Sequence, residues 1–301
     1  MLPSPLAWLS EGQWLPAATA HQTRAKRFGE PFTQRRMKRQ KHPIEDFLFT
    51  YYTQKPGQLY RWHPGPGVVL GGEKARERAD WKFYREVLHP ETGERGYTVD
   101  LGAFASARAE AIRFAVVILS KTAARPGNFA CFGLHEWAMA YKSADNGIRH
   151  EYLPLRLGPA GTDTVVEEHK IRCTHFDAFR FYTPEAVPLN ELQPTRETQR
   201  DLEQPGCLHA NMDLYKWAYK LTPAVPSDLV MDCFELAWDI RTMDMQASPY
   251  DLADWGQEPI RIETPAGKAE YVRLQKDFAD RAQELRGRLR AVAQSLPVPQ
   301  T

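Results

Sequence analysis

Helical periodicity is the strongest constraint this chain carries. Over 103–123 the apolar residues Phe104, Ala107, Ala111, Phe114, Ala115 and Ile118 recur at three- and four-residue steps, the spacing of one face of an α-helix. Three further helices are expected beyond residue 206, over Met212–Leu221, Ser227–Met245 and roughly Lys268–Ala293. Ser227 and Asp228 behind Pro226 make a sound helix start. In that helix Val230, Phe234, Ala237 and Ile240 form the apolar side, and Asp228, Asp232, Glu235 and Asp239 the solvated one. A shorter helix is expected over Gly133–Lys142, and another opens after Pro43, where Glu45 and Asp46 suit a first turn. Alternation and β-branched residues in YLPLRLG, TVVE and HKIRCTHF predict two or three short strands between Tyr152 and Phe181. The expected class is therefore α+β, mostly helical, with a small inserted sheet around residues 152–181.

Charge narrows the function classes. The 301 residues hold 39 basic and 38 acidic side chains, a net +1, which excludes a generally polycationic nucleic-acid coat and an acidic solvating tail. Apolar runs such as Phe114–Leu119 fall far short of the roughly 20 residues that cross a bilayer, so no membrane partner is expected. Four cysteines, and an N-terminus with no basic start or small-residue cleavage site, point to a cytoplasmic protein. Charge is uneven locally: within 24–41, Arg24, Lys26, Arg27, Arg35, Arg36, Lys38, Arg39 and Lys41 face only Glu30. The expectation is an N-terminal basic arm over 1–42, followed by a single domain over 43–301. Arg35, Arg36, Lys38 and Arg39 would meet phosphates; the alternative is a solvated helix face. The polar, Pro-rich stretch 184–206 reads as a long connection.

Several constellations could carry chemistry. Three cysteines stand near histidines, Cys131 with His135, Cys173 with His175 and Cys207 with His209. No Cys-x-x-Cys pair accompanies them, which argues against structural zinc. His175-Phe-Asp177 with a distant His209 supplies the ligand types of a two-histidine, one-carboxylate centre. With His135 added, this gives an alternative reading as a metal-dependent enzyme, non-haem iron or zinc, holding a divalent transition metal. Gly158 to Asp163 either offers backbone amides to an anion or makes an ordinary turn. In Gln204–Trp217 a Pro-Gly turn precedes a helix that Asn211 is expected to cap, with Asp213 in its first turn near Tyr215 and Trp217. An ionised acid between aromatic walls suits a purine-like base and positive charge on its sugar. Similar groupings occur in His135-Glu136-Trp137 and in Asp177-Ala178-Phe179.

Longer runs carry a resemblance: HPIEDFLFTYY from His42, RWHPGPGVVL from Arg61, CFGLHEWAMAY from Cys131, LPLRLGPAGTD from Leu153, CTHFDAFRF from Cys173, QPGCLHANMDLYKW from Gln204 and DMQASPYDL from Asp244. Together they resemble a bacterial family labelled 3-methyladenine DNA glycosylase, over most of residues 40–265. The resemblance implies an N-glycosidic-bond hydrolase that removes an alkylated or modified purine from DNA, in base excision repair, or from a purine nucleoside, with no cofactor. Asp213 or Asp177 would stabilise the sugar cation, with Glu136 or Asp251 behind them, and Trp137, Phe179, Tyr215 and Trp217 would stack the base. The Gly-rich hairpin of helix–hairpin–helix alkylpurine glycosylases is missing, so DNA would be held by the 24–41 stretch, or the substrate is not duplex DNA. A further alternative is a non-enzymatic binding protein whose aromatic residues serve only as core.

Overall fold

The computed structural model describes residues 6–299. The chain runs through β1 (Ala7–Leu9), α1 (Glu11–Met37), α2 (Phe47–Tyr51), α3 (Pro56–Leu59), β2 (Val68–Gly71), β3 (Tyr84–Leu88), β4 (Arg95–Val99) and α4 (Leu101–Ala124). It continues through α5 (Leu134–Ala138), α6 (Ser143–Asn146), α7 (Gly158–Glu167), α8 (Phe176–Phe179), α9 (Gln199–Leu202), α10 (Leu208–Lys220), α11 (Ser227–Gln246) and α12 (Pro265–Ser295). The protein is mostly helical α+β with one small mixed sheet. Among the described residues no helix is long and apolar enough to cross a membrane.

Two compact units divide the chain. Unit 1 comprises 1–117, 215–234 and 287–301; unit 2 comprises 118–214 and 235–286.

Unit 1 holds the sheet, in the order β1-β2-β4-β3. β1 pairs parallel with β2, and β4 lies antiparallel to both β2 and β3. Trp14 of α1 packs into its core beside Trp62, Leu70, Ala75 and Tyr97, and its indole donates to the Gly71 carbonyl at 2.9 Å. The basic stretch as far as Arg36 is therefore part of a packed helix, and Lys38, Arg39 and Lys41 follow its end. Trp14, His21, Ala25, Gly29 and Phe32 form its buried stripe at steps of three, four and seven. Arg24 pairs with Asp232 at 2.8 Å, and Arg35 holds Glu45 and Asp46 at 2.6 and 2.7 Å.

The sheet lies outside the interval where it was expected. Residues 152–181 contain α7, α8 and turns, with only single bridges from Leu155 to Tyr250 and from Ile171 to Asn190. Pro159 stands in the first turn of α7, where its missing N–H costs nothing, and Val165 and Val166 serve a buried helix face rather than a pleat. The real strands escaped notice because β3 is an edge with polar side chains on both faces, and such a strand shows no period of two.

Unit 2 is helical apart from those bridges. Its core includes Leu134, Trp137, Val166, Ile171, Met212 and Ile240. The Trp137 indole donates to the Ala247 carbonyl at 2.8 Å, and Arg156 grips Glu263 through two bonds of 2.6 and 3.0 Å.

Candidate metal centre

The start of α10 sets the geometry of the centre. Gln204 turns its side-chain oxygen onto the amides of Asn128 and Gly206, at 2.8 and 2.7 Å. Gln275 of α12 donates to the Gly206 carbonyl at 2.7 Å. A Cβ on Gly206 would run into the Asn128 carbonyl, so only glycine fits this turn. The helix then begins at Leu208, earlier than the sequence suggests. Asn211 is consequently inside it and caps nothing: its amide donates to the Pro205 carbonyl, and its oxygen accepts from buried Arg286 at 2.7 Å. His209 and Asp213, four residues apart, share one face of α10.

Around that face two groups of ligand-capable side chains come together. One is His135 of α5, His209 and Asp244 of α11; the other is His175, which immediately precedes α8, with Glu203 and Asp213. Within each group the candidate ligand atoms all lie within 4.8 Å of one another. The His209 ring stands 4.6 Å from that of His135 and 5.4 Å from that of His175, centre to centre, so the two groups adjoin. His135 Nε2 lies 3.1 Å from an Asp244 oxygen, and His175 Nε2 lies 3.3 and 3.4 Å from Glu203 and Asp213. None of the six is more than 8% exposed.

Burying six titratable groups is costly, and their pairing shows how the cost is met. Burial pushes the His175 imidazole down, but Asp213 and Glu203 outweigh it and carry the group up to about 9. Burial likewise opposes the charge on His135, and Asp244 overcomes it, leaving His135 well above its ordinary range. His209 goes the other way: burial first, then the neighbouring His135, hold it neutral. Arg241 reaches Glu136 at 2.9 Å and Asp244 at 3.7 Å, and keeps the Glu136 carboxyl low against burial. Pairing is nonetheless incomplete. Both ring nitrogens of His175 and one oxygen of Asp244 are buried without a well-formed hydrogen bond. Buried polar atoms in native proteins are nearly always satisfied, and an ion is one of the recognised reasons when they are not.

The donor set fits a transition metal. Two imidazoles and a carboxylate, as in His135, His209 and Asp244, suit iron, zinc or manganese, and the second group offers one imidazole and two carboxylates. Beside His135 and His209 lies a cavity of about 10 Å³, room for one water or ion. Cys131, Cys173 and Cys207 line it; burial drives the Cys173 thiol up to about 11 and Cys207 well above its ordinary range, so both are neutral.

Of the metal ligands expected from sequence, His135, His175 and His209 meet here. Asp177 does not join them; it pairs with Arg180 at 3.1 Å. Among the residues expected to handle a base, Asp213 lies in the second group and Glu136 behind the first. Trp137 is core, and Phe179 packs on Tyr182 at 5.0 Å. Asp251 is exposed and caps the turn at Ala253. Tyr215 and Trp217 belong to unit 1, where Tyr215 packs on Tyr52 and Phe234, and Trp217 on Phe114. Arg36, Lys38 and Arg39 are exposed at the end of α1. Gly158 to Asp163 opens α7 rather than making an isolated turn, and Asp163 accepts the Lys142 amide.

Glu203 and Asp244 are missing from the sequence reading. Asp244 left a trace, since it falls seven residues after Ala237 on the apolar stripe of α11, where an acid needs a reason. Glu203 left none, because it ends an irregular polar stretch. Comparison of the chain with models of known families, with curated proteins and with solved structures found no match in any of the three.

Proposed function

We propose that this chain is a metal-dependent enzyme whose centre is formed by His135, His209 and Asp244 together with His175, Glu203 and Asp213. The observation that carries the reading is the convergence of these six buried side chains, with His175 Nδ1 buried and left without a partner. A bound transition metal supplies a Lewis acid and, where it is iron, redox capacity. The protein contributes the ligands, and Arg241 and Glu136 behind Asp244 fix its orientation as an outer shell does.

The test is metal content. After anaerobic incubation with Fe(II), Mn(II) or Zn(II) and desalting, mass spectrometry of the elements should find one or two bound ions per chain. His209→Ala and Asp213→Asn should each weaken retention at least about tenfold while the far-ultraviolet dichroism stays native. Folded protein that retains none of the three metals overturns the proposal.

N-glycosidic cleavage is the second reading, favoured by one observation. Asp213 is a buried carboxylate beside a histidine that titrates up to about 9, an arrangement able to stabilise a sugar cation. It predicts free base from methylated DNA or from modified nucleosides, and loss of that release in Asp213→Asn. Metal retention without base release supports the first reading; base release by metal-free protein supports the second.

A further inference from the structure

Unit 1 contains a cavity of about 460 Å³ that the metal centre does not explain. Its volume lies in the range of small-molecule sites and far exceeds what a free phosphate or a water cluster needs. Four cations line it, Arg61, Lys82, Arg108 and Lys220, and no carboxylate does. That is a marked segregation in a chain whose basic and acidic residues number 39 and 38. All four are exposed, and Arg61, Lys82 and Arg108 form no ion pair among the described residues. Their mutual repulsion falls when an anion enters.

Three features show a built site rather than a chance gap. The Arg61 guanidinium lies 5.1 Å over the Trp81 ring, and stacking of this kind pre-orients the head group. Phe83, which also lines the cavity, has φ +66°, a conformation bulky side chains rarely adopt, and Arg108 stands where α4 departs from helical geometry. Most telling is Gln54. It lines the cavity, is only 8% exposed, and its amide makes no hydrogen bond among the described residues. An amide that reaches the cavity offers it two donors and one acceptor, the pattern that matches the edge of a heterocyclic base.

We infer that this cavity binds a nucleoside phosphate, the four cations taking the phosphates and Gln54, which lines the same cavity as Trp81 and Phe83, reading the base. The inference stands on unit 1 alone and does not depend on the metal reading.

Calorimetric titration of the full chain at low salt, in EDTA so that no metal bridges the ligand, tests it. The probes are adenosine, guanosine and uridine diphosphates, pyrophosphate, adenosine and a short single-stranded oligonucleotide. At least one nucleoside diphosphate should bind about tenfold or more tightly than pyrophosphate and adenosine. Arg61→Gln with Arg108→Gln should weaken it by a further factor of about ten or more. Both positions are exposed, so an unchanged melting temperature will confirm that the fold survives. Gln54→Leu should reduce nucleotide affinity and leave pyrophosphate binding as it was. No binding by any diphosphate, pyrophosphate binding as tightly as the nucleotides, the oligonucleotide binding more tightly than either, or unaltered affinity in the charge variant would each overturn the inference.

Discussion

Arg241 shows how one residue can hold a buried polar centre together. It is 2% exposed and serves two carboxylates, Glu136 and Asp244. Arg241→Met removes the guanidinium that these two acids share and leaves Glu136 buried without its ion-pair partner. The expected loss is about 3–5 kcal/mol of unfolding free energy, measured by urea titration. Adding Glu136→Leu should recover part of that loss, because the stranded charge is then gone. If Arg241→Met is as stable as the parent, the pair does not carry the role assigned to it. At this scale the histidines were legible from sequence, since few residue types do what imidazole does. Asp213 was legible as an acid but not as a partner of His175, and Glu203 and Asp244 were not legible, because Asp177 lies two residues from His175 in sequence whereas these three acids reach it or its neighbours only through folding.

Elements are positioned by backbone contacts that composition does not report. The three C-terminal helices were visible because apolar spacing over 13 to 31 residues accumulates a signal. α7 reads as a strand in sequence because TVVE is short enough to suit either period, and YLPLRLG before it folds as turns. Two glycines separate the cases in which a missing side chain is required from those in which it is merely tolerated. Gly206→Ala drives a Cβ against the Asn128 carbonyl, and should cost about 1–3 kcal/mol while displacing the start of α10. Because His209 and Asp213 ride on that helix, metal retention should fall with stability. Gly287 lies inside α12 with nothing within 4 Å of an added Cβ. Gly287→Ala should therefore raise stability by about 0.5–1 kcal/mol, read from the melting temperature. Opposite signs for the two substitutions are the expected outcome, and equal effects would mean the turn at Gly206 is slack.

The whole molecule answers to pH through histidines that the fold keeps neutral, and His63 in unit 1 is the clearest case. Its ring is buried, 3.0 Å from the Tyr84 hydroxyl and 5.3 Å from the Trp81 ring centre. Burial, reinforced by the positive charges of Arg78 and Arg61 and by His21, lowers its titration from 6.5 to about 3. In the unfolded chain the same ring takes up a proton near 6.5. Between those two values the unfolded state therefore binds more protons than the folded one, so stability rises with pH and falls as the solution is acidified. One such group contributes a slope of up to about 1.4 kcal/mol per pH unit. His21, lowered chiefly by burial and held at 2.8 Å from the Leu59 carbonyl, adds in the same sense. Other groups titrate over the same range, so the contribution of His63 is read as a difference between wild type and His63→Gln. At neutral pH the variant should be the less stable, having lost the ring's packing and its contact with Tyr84. Between about pH 6.5 and pH 5 that gap should narrow by up to about 2 kcal/mol, since only the wild type must keep a proton off a buried ring. Urea unfolding of both proteins across this range measures the gap directly, and a gap that stays constant would show that His63 is already protonated in the folded protein.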